Sequence, residues 1–146
     1  MTKPRLLIID DDEPIRTQMK WALIKDYDIF LAQDGQKAME AVREKQPALV
    51  TLDLGLPPHP EDTSEGLKLL GQILNEAPVT KVIVVTGNPD KSAALKAIAT
   101  GAHDFLMKPI DVEELKAILK RAIYVHTLES ELRELQKQQP GKAFSD

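Results

Sequence analysis

The chain has no cysteine among its 146 residues, which excludes disulfides, thiolate metal ligands and cysteine nucleophiles. Its three histidines, His59, His103 and His126, lack partners in the sequence and read as solvated side chains. There is no excess of positive charge. Nineteen basic residues face 23 acidic ones, for a net charge of −4, and without a basic tract nothing points to nucleic-acid binding by this chain. No apolar run approaches the roughly 20 residues needed to cross a bilayer. The opening Met1-Thr2-Lys3-Pro4-Arg5 leads into only four apolar residues, too few for a signal peptide. The expectation is a cytoplasmic chain with no membrane contact, sized as one domain on the usual scale of about 100–200 residues.

What the chain does contain is a set of short apolar runs, four of which end in chemically distinctive groups. Leu6-Leu7-Ile8-Ile9 ends in Asp10-Asp11-Asp12, and Leu49-Val50-Thr51-Leu52 ends in Asp53. Val82-Ile83-Val84-Val85 ends in Thr86-Gly87, and Phe105-Leu106-Met107 ends in Lys108-Pro109. A fifth run is Ile29-Phe30-Leu31-Ala32. Helix-period segments lie between them. Ile15, Met19, Ala22 and Leu23 form one stripe behind Pro14, which suits a first helical turn. Ala38, Met39 and Val42 form a second, after Asp34-Gly35. Leu67, Leu70, Ile73 and Leu74 form a third, from about Ser64. Ala94, Leu95 and Ile98 form a fourth, after Asn88-Pro89-Asp90, with Gly101 placed as a C-terminal cap. A fifth helix opens at Asp111, with Glu114 three residues on, a pattern like a capping box.

Five strand–helix alternations predict an α/β fold with a parallel sheet covered on both faces. The doubly wound order 2-1-3-4-5, flavodoxin-like, is a common solution, and its switch point lies between strands 1 and 3. In that order Asp10, Asp11 and Asp53 become neighbours at the carboxyl edge of the sheet, where ligands bind in such folds.

Crowded carboxylates repel one another unless a cation neutralises them. Oxygen ligands without histidine or cysteine suit magnesium, with Asp10, Asp11 and Asp53 around the ion. Asp12 reads differently, as a helix cap, because Pro14 follows it. Thr86 offers a hydroxyl and Lys108 a point charge to phosphoryl oxygens. Each taken alone is equally readable as a strand-end residue or a solvated loop cation.

Taken together, Asp10-Asp11, Asp53, Thr86-Gly87 and Lys108-Pro109 resemble, in order and spacing, the receiver domain of two-component response regulators, over about residues 4 to 125. The resemblance implies that Asp53 accepts a phosphoryl group from the phosphohistidine of a sensor histidine kinase. Asp10 and Asp11 would support Mg2+, and the carbonyl of Gly55 would be a backbone ligand to it. It further implies a cis Lys108-Pro109 bond and a switch in which Thr86 moves and Phe105 rotates, altering the helix 4–strand 5–helix 5 face. A simple core aromatic is the plain alternative for Phe105. Three other readings compete. A haloacid-dehalogenase-like phosphatase would use Asp10 as nucleophile in an Asp-x-Asp motif. A flavodoxin-like cofactor module would need phosphate beside three carboxylates. A receiver could also serve only for docking, without being phosphorylated.

Two segments depart from a minimal receiver. Leu54 to Glu65, with Pro57, Pro58 and Pro60, is longer than the usual family loop, and its prolines make it an extended, fairly stiff surface segment. At the other end, a helical pattern runs about 27 residues from Val112 with no Gly or Pro until Pro140, long for a globular helix. Leu128, Leu132 and Leu135 among charged neighbours look like a short coiled coil with an imperfect seam. The expected organisation is a receiver over residues 1–125, then a helical signalling linker over 126–146 that makes a homodimer through helix 5 and its extension. That linker resembles those of nitrogen-regulator-type activators, so the sequence reads as a fragment whose DNA contact would come only through a domain absent from this chain. The Leu54-Gly55-Leu56-Pro57-Pro58 stretch also resembles regulators accompanying exosortase (PEP-CTERM) protein-sorting systems.

Overall fold

The structure is a computed structural model and describes residues 2–58, 62–87 and 91–138. His59, the Asn88-Pro89-Asp90 helix start and the segment from Pro140 onward lie outside the described residues. The elements run β1 (Arg5–Ile9), α1 (Glu13–Leu23), β2 (Asp28–Ala32), α2 (Gly35–Lys45), β3 (Leu49–Asp53), α3 (Ser64–Glu76), β4 (Lys81–Thr86), α4 (Lys91–Thr100), β5 (Asp104–Met107) and α5 (Val112–Gln138). All five strands are parallel, in the order β2-β1-β3-β4-β5. The fold is the one the alternating pattern predicts.

The apolar runs are continuous because the sheet is buried on both sides. Alternate residues of each strand feed two separate cores. Leu7, Ile9, Val50, Leu52, Val82 and Val84 pack with Ala38, Met39, Val42, Leu70 and Ile73 from α2 and α3. Leu6, Ile8, Leu49, Ile83 and Val85 pack with Met19 and Leu23 of α1 and Leu115, Ile118 and Leu119 of α5. Each such fully buried Leu, Ile or Val is worth about 1.5–3 kcal/mol over leaving it in water.

The predicted helix starts are held by aspartates. Asp12 accepts from the Ile15 amide at 3.2 Å, Asp34 from the Lys37 amide at 2.9 Å and Asp111 from the Glu113 and Glu114 amides at 3.0 and 3.3 Å. Gly101 ends α4 with φ +121°, a conformation that suits glycine.

Helix α4 rotates away from the expected stripe. Ala93 and Ala97 are buried, whereas Leu95 and Ile98 are 71% and 48% exposed. Positions 93/97 and 94/95/98 both satisfy a helical period, and it is Ala93 and Ala97 that join Val82, Val84 and Phe105 in the core. The long loop also begins as core, not as surface. Leu54 and Leu56 are fully buried, and a Cβ at Gly66 would lie 2.3 Å from the Leu54 Cα. Gly66 is thus the residue that lets the start of α3 pass against the loop.

Helix α5 is continuous through residues 125 and 126. Leu115, Ile118, Leu119 and Ala122 hold its first half to the sheet, while Leu128, Leu132 and Leu135 are 48%, 55% and 57% exposed. A 2.7 Å ion pair from Lys81, at the start of β4, to Glu129 ties down the second half. His103 and His126 are half-buried, not solvated as the sequence suggested. Burial first, and Lys81 next, hold both below the ordinary histidine value.

Candidate functional site

Register decides what meets at the carboxyl edge. Ile9 pairs with Leu52, Asp53 with Val85 and Thr86 with Met107. Asp10, Asp53, Thr86 and Lys108 therefore end four adjacent strands at nearly one level. One carboxylate oxygen from each of Asp10, Asp11 and Asp53 lies within 4.8 Å of the other two. Asp10 and Asp53 are only 2% and 6% exposed, while Asp11 opens to solvent.

Lys108 bridges the two buried acids. Its Nζ is 3.1 Å from Asp10 Oδ2 and 3.3 Å from Asp53 Oδ2. Burial pushes the Asp53 carboxyl up, the Asp10 charge adds to this, and Lys108 offsets only part, leaving it at about 6. For Lys108, burial works against the charge, but Asp53 and Asp10 together outweigh it, so its value is raised. An ammonium held charged beside a buried Asp53 carboxyl that is reluctant to ionise marks a site short of positive charge.

Backbone and side-chain hydrogen bonds fix the acids. The Gly55 amide donates to Asp53 Oδ1 at 3.1 Å, and the Asp12 amide donates to Asp10 Oδ1 at 2.9 Å. Thr86 is buried at the end of β4, and its carbonyl accepts from the Lys108 amide at 2.9 Å, which ties the two loops together. The Lys108-Pro109 bond is cis, as the resemblance implied. Phe105 is half-buried against the core beneath α4, on the strand residue paired with Val84.

Every candidate from the sequence thus sits at this edge or directly below it. Hard oxygen donors, two of them buried, fit a small divalent cation. Asp12 is set apart as a cap, in agreement with its sequence context. Sequence reasoning missed Arg16, whose Nη1 donates to the Asp10 carbonyl at 2.6 Å. Its position one helical turn beyond the Asp12 cap was the available signal.

Residues 6–120 match the response regulator receiver domain. The chain belongs to that family. Over 121 residues it is 33% identical to the chemotaxis protein CheY of Listeria monocytogenes, covering 81% of this chain and 97% of CheY. It is 32% identical to the DNA-binding transcriptional regulator NtrC of Escherichia coli (strain K12) over 134 residues, 91% of this chain. The crystal structure of the receiver domain of NtrX from Brucella abortus superposes with TM-score 0.74 at 30% identity, covering 82% of this chain and 98% of that one. The receiver spans 28% of the length of NtrC and of the regulatory protein AtoC. Membership overturns the phosphatase reading. Among the described residues, no helix is long and apolar enough to cross a membrane.

Proposed function

We propose that this receiver takes a phosphoryl group onto Asp53 from the phosphohistidine of a sensor histidine kinase. The observation that carries the reading is a buried Asp53 whose carboxylate meets Asp10, Asp11 and Lys108 at the open edge of the sheet. A carboxylate oxygen of Asp53 bonds to phosphorus as the phosphorus–imidazole bond breaks, and the imidazole leaves with the electron pair and takes a proton from water. The product is an acyl phosphate, and the work of the protein is to position groups and neutralise charge.

Asp10, Asp11, Asp53 and the Gly55 carbonyl are the groups that would hold Mg2+, which supplies charge neutralisation for the phosphoryl oxygens. Lys108 leaves its contact with Asp53 to pair with one phosphoryl oxygen, and the Thr86 hydroxyl donates to another. Phe105 then turns toward the space beside Thr86, and the added charge of nearly −2 biases the face formed by α4, β5 and α5. In this reading the chain is a phosphoacceptor whose only turnover is its own phosphorylation and hydrolysis. It works in the cytoplasm.

The chain divides functionally into a receiver at 1–125 and a signalling linker at 126–146, whose described part, to Gln138, belongs to α5. Leu128, Leu132 and Leu135 point away from the domain, and a second copy of the same helix is the partner that covers them. DNA is reached only through a further domain, and the exosortase-associated assignment rests on the loop sequence alone.

Incubation with acetyl phosphate and Mg2+, with the label located by mass spectrometry, tests the central step. Asp53 should carry the label and Asp53→Asn should carry none. Label on Asp10, or label that survives in Asp53→Asn, overturns the reading.

A further inference from the structure

We infer that Arg16 is a positioning residue for the cation site, acting through the backbone of Asp10. The inference rests on the magnesium reading above and assigns a role to a residue that lies outside the acid, threonine and lysine set.

The link from β1 to α1 is only Asp10, Asp11 and Asp12, three like charges in a row at the most acidic place on the chain. Without an opposing constraint such a link splays, because neighbouring carboxylates gain by separating. Asp10 is held at each of its polar groups. Its amide donates to the Ala32 carbonyl at 3.1 Å. Its Oδ1 accepts from the Asp12 amide at 2.9 Å, and its Oδ2 contacts Lys108 at 3.1 Å. Its carbonyl accepts from Arg16 Nη1 at 2.6 Å.

The last of these contacts comes from α1. It is a charge-assisted bond, a stronger type than one between neutral groups. It also joins the body of α1 to the peptide that links Asp10 with Asp11. Arg16 is half-buried on the second turn of α1. Its stem is therefore anchored by the same helix whose neighbour on that face, Met19, is in the core. The guanidinium pulls the Asp10 carbonyl toward the helix. That fixes the direction in which the chain leaves Asp10, and so where the exposed Asp11 carboxylate stands relative to Asp53. Groups that orient ligands in this way typically change metal affinity about 10- to 100-fold when removed.

The test is Mg2+ binding by calorimetry to the 146-residue chain, comparing wild type with Arg16→Met and Arg16→Lys. Thermal unfolding in chelator serves as the structural control. Methionine keeps the apolar stem and loses the donor; lysine keeps the charge and one donor direction. The expected result is a loss of Mg2+ affinity of about 10- to 100-fold in Arg16→Met, with partial recovery in Arg16→Lys. The Met variant should remain folded at the assay temperature. Affinity within twofold of wild type in Arg16→Met overturns the clamp, whatever happens to its melting temperature. Equal loss in both variants also overturns it, since bulk alone would then account for the effect. Wild type that fails to bind Mg2+ removes the underlying reading and the clamp with it, which separates the two failures.

Discussion

Replacing Asp53 by Asn should stabilise the cation-free protein, although it removes the group on which the proposed chemistry depends. Burial, then the Asp10 charge, raises the Asp53 carboxyl from 3.8 to about 6 despite Lys108. A pKa unit is about 1.4 kcal/mol, so keeping this group ionised in the folded state costs about 3 kcal/mol above pH 6. The sign follows from proton binding. The folded form holds the Asp53 proton more tightly than the unfolded chain, so stability falls as pH rises between about 4 and 6 and the deficit is complete above that. Asparagine stays neutral throughout and can still accept from the Gly55 amide, but it gives up the ion pair with Lys108. The net gain expected at about pH 7.5 in chelator is therefore about 1–3 kcal/mol. It should shrink toward zero near pH 4, where the wild-type carboxyl is protonated as well. Urea unfolding of both proteins at several pH values, in EDTA and in saturating Mg2+, measures this directly. With Mg2+ the wild type should recover more stability than the variant, because the variant has lost one ligand. A variant no more stable than wild type at neutral pH in EDTA, or an offset that does not change with pH, would refute the reasoning.

Other outcomes follow from particular contacts. Gly66→Ala forces a Cβ to 2.3 Å from Leu54 backbone, which cannot yield as a flexible side chain can. A destabilisation of about 1–3 kcal/mol or more, together with weaker Mg2+ binding, is expected in urea melts and calorimetry. The Thr51 hydroxyl is buried in β3 and is the one such side-chain atom among the described residues with no hydrogen-bond partner. Thr51→Val keeps the shape and removes the desolvation cost, so a gain of about 1 kcal/mol in the same melts is expected. Truncation after Arg121 removes Leu128, Leu132 and Leu135, and sedimentation equilibrium should then show weaker self-association. An unchanged association constant would remove the dimer proposal.

Much of the fold was legible because the strands of a doubly covered parallel sheet must be apolar throughout. The runs at Leu6, Leu49 and Val82 could hardly be anything else. Capping was legible for a local reason at Asp12 and Asp111, which each act within three residues of themselves. The acids, Thr86 and Lys108 stood out as polar groups placed where apolar strands end. Less legible were features that depend on which of two acceptable faces turns inward. Helix α4 buries Ala93 and Ala97 and leaves Leu95 and Ile98 in water, a choice that the helical period alone does not make. The proline-bearing loop looked like surface, yet Leu54 and Leu56 sit in the core on either side of Gly55. His103 and His126, 23 positions apart, looked isolated until α5 came to lie beside Lys81.

By itself the sequence determined the succession of strands and helices, the starts of three of those helices and the set of polar groups carried to one sheet edge. These depend on periodicity and on hydrogen bonds between near neighbours, which short windows of residues encode. Tertiary structure alone decided that Lys108 lies between Asp10 and Asp53, that the Asp53 carboxyl resists ionising, and that Arg16 reaches back to the Asp10 carbonyl. Those properties come from burial and from charges brought within a few ångströms of each other. Such distances exist only once five strands have settled into register.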